Sequence, residues 1–245
     1  MEPIYVILII SFLGPIIGSL IGIIKKPSNK FMFNMLAFAA GVMLAISFID
    51  LIPESIKLSS VWITAIGILL GALVMYTLDR LIPHIHPGLC KQEQGRNLER
   101  TSVYLFLGIL LHNFPEGMAI GIGAVSGIKI SMTIALAIAI HNIPEGIVTS
   151  APYYYITKKR LKSFLISSST AIPIVVGFLF ANFLFKNIPS NTVGLIIAAT
   201  AGLMIYISGD ELIPTSCNKA SGEWSHATIF SLILGVIFVI LLGAI

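Results

Sequence analysis

Eight long apolar stretches limit this chain to folds that can cross a lipid bilayer. An α-helix of about 20 residues crosses the hydrocarbon core of a bilayer. Of the 245 residues, 56% are hydrophobic and 11% are charged, whereas a soluble domain has about 25% charged residues. We therefore predict an all-α polytopic membrane protein with one transmembrane domain over residues 1–245. Its predicted spans are roughly 4–24, 32–52, 61–82, 101–124, 128–150, 163–186, 192–213 and 227–245.

The basic residues between the spans predict the orientation of the chain. With an even number of spans both termini lie on one side, together with three lysines, Lys57, Lys129 and Lys186. The other side carries twelve basic residues: Lys25, Lys26, Lys30, Arg80, Lys91, Arg96, Arg100, Lys158, Lys159, Arg160, Lys162 and Lys219. Because basic loops stay cytoplasmic, we predict a multi-pass cell-membrane protein with both termini extracytoplasmic and a cytoplasmic loop over 83–100. We interpret the net charge of +4 as a topology signal rather than as a nucleic-acid surface, and the cluster at 158–160 as a contact with anionic lipid head groups.

An internal repeat predicts the arrangement of the spans. Residues 41–55 and 202–216 are identical at eight of fifteen positions, at an offset of 161. This offset also carries span one onto span six and span three onto span eight. Spans two and seven run in opposite directions, so the chain is predicted to form a 3+2+3 inverted repeat. Such repeats are typical of secondary transporters, whose substrate site lies near the bilayer midplane.

The centres of spans four and five carry the same six-residue pattern, His-Asn-x-Pro-Glu-Gly. It occupies residues 112–117 and 141–146. A histidine and a glutamate four residues apart share one helix face, and ionisable residues inside a membrane are usually functional. Two imidazoles and two carboxylates suit a divalent transition metal such as zinc, iron(II), manganese or cobalt. The glycine after each glutamate permits close approach of a neighbouring helix.

Other interpretations of this pattern remain open from the residues alone. The His–Glu pairs could join two helices, or the two histidines could ligate haem in a membrane redox protein. A metal exporter would use the same ligands. A membrane-embedded zinc hydrolase is less well supported, because the chain lacks His-Glu-x-x-His. We expect no enzymatic activity and no cofactor, with the metal ion bound as a substrate.

The paired pattern, with residues 50–54 in span two and 210–214 in span seven, resembles the ZIP family of divalent-metal transporters. The resemblance covers nearly the whole chain. It implies eight helices in a three-two-three arrangement, uptake of metal into the cytoplasm and a homodimer. It also implies a binuclear centre on helices four and five. Carried over by position, one metal site would consist of His112, Glu116, His141 and Glu145, and an adjoining site of Asn113, Glu116, Asn142 and Glu145.

This chain departs from the family pattern at the adjoining site. Bacterial relatives often have Ala-Glu-Pro in span six, where this chain has Ala171-Ile172-Pro173. Many relatives also have an acid at the position of Asn142. The adjoining site therefore lacks up to two carboxylates, and we expect it to be weak or absent, with one ion bound at a time.

Acidic residues are predicted at both mouths of the pathway. Asp50 and Glu54 fall near the external end of span two, and Asp210 and Glu211 near the cytoplasmic end of span seven. Negative charge at the mouths would concentrate cations by long-range attraction. His84 and His86 in the cytoplasmic loop are weaker candidates for metal contacts.

Overall fold

The computed structural model describes residues 3–24, 28–81, 110, 113–122, 128–184, 189–216 and 225–244. These residues are almost entirely helical, and seven helical stretches among them are long and apolar enough to cross a membrane. The predicted fold class, an all-α polytopic membrane protein, is confirmed. The helices are α1 Pro3–Ile24, α2 Asn29–Ala45, α3 Ile52–Leu58, α4 Val61–Leu81, α5 113–122, α6 Ile128–Thr157, α7 Arg160–Ser168, α8 Ala171–Leu184, α9 Ser190–Ile207, α10 Ile213–Thr215 and α11 His226–Ala244.

Two π-helical turns occupy equivalent positions in the internal repeat. Ile46–Leu51 connects α2 to α3, and Ser208–Leu212 connects α9 to α10. The N–H of Ile52 donates to the carbonyl of Ser47, and the N–H of Ile213 donates to that of Ser208. Donors and acceptors of the two bonds differ by 161 residues, the offset of the sequence repeat. In each copy a proline follows directly, and its missing N–H favours departure from regular α-helical bonding.

The helix pairs also follow the repeat. α2 packs along α11, and α4 packs along α9. The offset relates span two to span seven and span three to span eight, so these two pairs are equivalent. Equivalent glycines lie at close contacts in both pairs, because Gly41 lies against Leu232 of α11 and Gly202 lies against Ile68 of α4.

A second group of helices surrounds the motif-bearing segments. α1 packs along α6 and also contacts α7 and α8, while α5 lies against α8 through Gly117 and Ile174. α1, α5, α6, α7 and α8 thus form one bundle, and α2, α3, α4, α9, α10 and α11 form the other. The bundles meet where α2 and α11 contact α6. This grouping agrees with the predicted 3+2+3 arrangement.

Glycines bring α1 directly against the central part of α6. A methyl group added at Gly14 would overlap the carbonyl oxygen of Ala139, and one at Gly18 would overlap that of Ile143. On the facing side, a methyl group at Gly146 would lie 2.6 Å from the carbonyl oxygen of Pro15. Gly146 and Gly117 follow the two glutamates of the paired pattern, so the predicted close helix approach at these glycines is confirmed.

Candidate metal centre

Three side chains from α5 and α6 converge in the interior of the protein. Nε2 of His141 lies 2.9 Å from Oε1 of Glu116 and 4.0 Å from Oε1 of Glu145. One ligand atom from each residue lies within 4.8 Å of the others, and all three residues are at most 1% exposed. Zinc bonds to nitrogen and oxygen ligands at about 2.0–2.2 Å. Two ligand atoms of one such ion therefore lie at most about 4.4 Å apart, and both contacts of His141 are within that separation.

The geometry of α6 explains how His141 and Glu145 face the same point. The helix continues through Pro144 without interruption, so residues four apart lie one turn apart on one face. Nδ1 of His141 lies 3.2 Å from the carbonyl oxygen of Ala137. When Nδ1 carries the proton and donates to this carbonyl, Nε2 is free to offer its lone pair to a metal ion.

Two asparagines orient groups around this centre. Nδ2 of Asn142 donates to Oε2 of Glu116 over 2.9 Å, so both oxygens of Glu116 contact α6. Nδ2 of Asn113 donates to the carbonyl of Thr170, in the turn between α7 and α8, over 2.7 Å. The Oδ1 atoms of both asparagines are buried and have no hydrogen-bond partner among the residues that the structure describes.

The side chain of Ile172 lies away from this centre. It is 61% exposed and lines an apolar cavity of about 400 Å³ with Val74, Phe114 and Pro173. The described residues of α8 include no carboxylate. This helix therefore adds no carboxylate ligand beside the two asparagines. This placement supports the expectation of a weak adjoining site, which stays a prediction.

The acidic residues predicted at the pathway mouths lie in or next to the π-helical turns. Asp50 belongs to the first π-helical turn, and Glu54 lies in the first turn of α3, where its Oε2 accepts a hydrogen bond from Lys57 over 3.3 Å. Asp210 and Glu211 belong to the second π-helical turn. Among the described residues, the only group of three or more potential metal ligands is Glu116, His141 and Glu145. The structure thus does not bring the four mouth residues into the central triangle, and their role in the pathway stays a prediction.

Three histidines of the sequence-based prediction lie outside the described residues. They are His112, His84 and His86. His112 directly precedes Asn113, the first described residue of α5. Its predicted part in the metal site is therefore untested.

A cluster of buried hydroxyl groups, not predicted from the sequence, lies one helical turn beyond Glu145. The hydroxyl of Thr149 donates to the carbonyl oxygen of Glu145 over 2.9 Å and is hydrogen-bonded to Ser167 of α7. Ser19 of α1 lies 2.7 Å from the Ser167 hydroxyl. This cluster connects α1 and α7 to the part of α6 that carries the metal-ligand candidates. Thr149 follows Glu145 at a spacing of four, and this spacing was the available sequence signal.

Comparisons with known proteins find similar chains among zinc transporters. A family model described as ZIP Zinc transporter matches residues 3–104 and 89–243. The chain is 36% identical over 206 residues to the zinc transporter ZupT of Enterobacter sp. (strain 638), covering 81% of this chain and 80% of the relative. It is 37% identical, with the same coverage, to the zinc transporter ZupT of Escherichia coli O127:H6 (strain E2348/69 / EPEC). The ZupT protein of E. coli K12 / DH10B is 36% identical, again over 206 residues.

Proposed function

Because this chain belongs to the ZIP zinc transporter family, we propose that it carries zinc across the cell membrane into the cytoplasm. The observation that carries this proposal is the buried convergence of Glu116, His141 and Glu145. Ionisable groups are costly inside a membrane, and the binding of a transported cation explains why these residues are buried there. Iron(II), manganese and cobalt suit the same ligand types. Zinc is the first choice because the relatives are named as zinc transporters.

In this proposal the ion is held at the membrane centre and released by movement of the two helix bundles. His112 would complete the ligand set from the side of α5. The bundle that contains α1 and α5–α8 would rock against the bundle that contains α2–α4 and α9–α11, as in other transporters built from inverted repeats. Asp50 and Glu54 would attract the ion at the external mouth, and Asp210 and Glu211 at the cytoplasmic mouth.

The proposal includes the orientation and assembly predicted from the sequence. The single transmembrane domain spans residues 1–245 with both termini extracytoplasmic, because basic residues concentrate on the opposite side. The homodimer rests on family resemblance. Adding a membrane-impermeant thiol reagent to sealed cells that carry a single cysteine at position 2 or 245, with the native cysteines replaced, would test the orientation.

The function is tested by counterflow of radioactive zinc into liposomes that contain the purified protein. Liposomes preloaded with unlabelled zinc should accumulate the label faster than protein-free liposomes, because a carrier exchanges ions without net flux. Parallel assays with iron(II), manganese and cobalt would rank the substrates. Label accumulation equal to that of protein-free liposomes for every metal would refute the proposal.

We expect the purified protein to bind one zinc ion per chain. Glu116 and Glu145 are the only carboxylates in the central group of the described residues, and two divalent ions that shared them would be left with uncompensated positive charge in a low-dielectric interior. Isothermal titration calorimetry of the metal-free protein in detergent measures this stoichiometry. Two tightly bound ions per chain would contradict this expectation.

A further inference from the structure

The corner between α6 and α7 carries a dense group of exposed cations. Lys158, Lys159, Arg160 and Lys162 are all exposed and fall within five residues. Lys158 has a φ angle of 57°, a left-handed conformation that helps to reverse the chain between the two helices. The apolar stretches on either side, Ser131–Ala151 and Arg160–Phe183, are candidate membrane spans. The corner therefore lies at the level of the lipid head groups.

Two of these cations are held in place by aromatic residues of α6. Nε of Arg160 donates to the hydroxyl of Tyr154 over 3.0 Å, and the guanidinium carbon lies 5.6 Å from the centre of that ring. The ammonium of Lys162 lies 6.0 Å from the centre of the Tyr153 ring. Contacts of this kind orient a cation over the ring face, so these charges have a preferred position at the membrane surface.

An open hollow of about 660 Å³ adjoins the cations. Leu161, Leu165 and Ile166 line it together with Lys159, Arg160 and Lys162, and its surface is almost wholly apolar. The three basic residues therefore contribute their aliphatic stems to the hollow and hold their charged ends at its edge. The side chain of Leu161 is 70% exposed and that of Leu165 is 57% exposed. Exposed cations beside an apolar surface are complementary to an anion that carries an acyl chain. A soluble anion without an acyl chain would not cover the apolar surface.

We propose that this hollow binds an anionic phospholipid of the surrounding bilayer. The phosphate group lies among Lys159, Arg160 and Lys162, and the first part of an acyl chain covers Leu161 and Leu165. Anionic lipids attract basic segments at a membrane surface by about 1 kcal/mol per Lys or Arg, so a cluster of three selects them over zwitterionic lipids.

The bound lipid is connected to the metal centre through α6 and α7. Tyr153 and Tyr154 lie on the same continuous helix as Glu145. Ser167 of α7 is hydrogen-bonded to Thr149, whose hydroxyl donates to the carbonyl of Glu145. A lipid that offsets the mutual repulsion of the cations stabilises this corner, and we expect it to increase the rate of zinc uptake. This functional effect rests on the proposed transport activity, whereas lipid binding does not.

Lipid binding is tested by native mass spectrometry of the detergent-purified protein after addition of phosphatidylglycerol or phosphatidylcholine. The wild type should retain phosphatidylglycerol preferentially. The double variant Arg160→Gln/Lys162→Gln should bind it more than tenfold more weakly, because each lost charge weakens binding about fivefold. The control Lys30→Gln/Arg80→Gln removes one lysine and one arginine that are also exposed and should retain wild-type binding.

Uptake is then compared in liposomes of pure phosphatidylcholine and of phosphatidylcholine with phosphatidylglycerol. The wild type and the control should be stimulated by phosphatidylglycerol, and the double variant should lose the stimulation while keeping its basal rate. Equal phosphatidylglycerol binding by the double variant and the wild type would overturn the site. An equal loss of phosphatidylglycerol binding in the control would show that binding depends only on net charge. That result would also overturn the proposed site. Absence of zinc uptake in every liposome would refute the transport function but would leave the mass-spectrometric result in force.

Discussion

Replacement of Glu116 with alanine should abolish zinc uptake while the protein remains in the membrane. Glu116 is the carboxylate that α5 contributes to the described centre, and its two oxygens contact His141 and Asn142 of α6. Loss of a residue that merely orients a metal ligand already costs about 10- to 100-fold. We therefore expect uptake to fall by at least that factor when a ligand itself is removed. Initial rates of radioactive zinc uptake in membrane vesicles, normalised to the amount of inserted protein, measure the effect.

Glu145→Ala should give the same loss, because this residue is the second carboxylate of the triangle. Glu116→Gln and Glu145→Gln preserve side-chain size and separate the loss of charge from a loss of packing. Asp79→Asn is the matched control, since Asp79 lies near the end of α4, outside the triangle. Wild-type uptake after both alanine changes would disprove the assignment of the site.

Replacement of Gly18 with leucine should separate α1 from α6 and destabilise the protein. The first side-chain carbon would overlap the carbonyl oxygen of Ile143, a backbone atom that cannot rotate away. Overpacking of a close contact costs about 1–3 kcal/mol and more where the backbone must move. Since Ile143 lies between His141 and Glu145, zinc uptake should fall as well. The temperature at which the detergent-purified protein loses its monodisperse elution peak measures the stability.

Gly243→Leu is the matched control for this substitution. Gly243 also lies in a membrane helix, but a side-chain carbon added there meets no atom within 4 Å. We expect its thermal stability to equal that of the wild type, because the added side chain meets no neighbouring atom. If both leucine variants lost stability equally, the close contact between α1 and α6 would not be the cause.

Local spacing explains why much of the metal centre was predictable from the sequence. The spacing of four between His141 and Glu145 places both on one face of any regular helix, and the adjacent copy of the pattern supplies Glu116 from the neighbouring helix. The repeat at an offset of 161 likewise predicted which helices are equivalent. Both predictions depend on helical periodicity and on chain direction, and these properties can be read from a single sequence.

The features that the sequence did not predict depend on contacts between distant segments. The carbonyl of Thr170 accepts a hydrogen bond from Asn113, 57 residues away, and this partner could not be inferred from the local sequence of the turn at Ser169–Thr170. The cluster of buried hydroxyl groups could not be predicted from the sequence either, because its members Ser19, Thr149 and Ser167 belong to three different helices. Asn142 was expected to act as a ligand, and only the structure revealed that its amide nitrogen donates to Glu116.

The wide turn at Ile46–Leu51 constrains how the protein can evolve. A π-helical turn closes over five residues where an α-helical turn closes over four, so deletion of one residue there would restore regular α-helical bonding and leave the helix after it in nearly the same rotation. Ser55, whose hydroxyl reaches both Thr64 and the carbonyl of Gly194, would keep its orientation towards these partners. Single-residue gaps between homologous sequences are therefore expected in this stretch, or in its counterpart at Ser208–Leu212, before they are expected in the regular helix on either side.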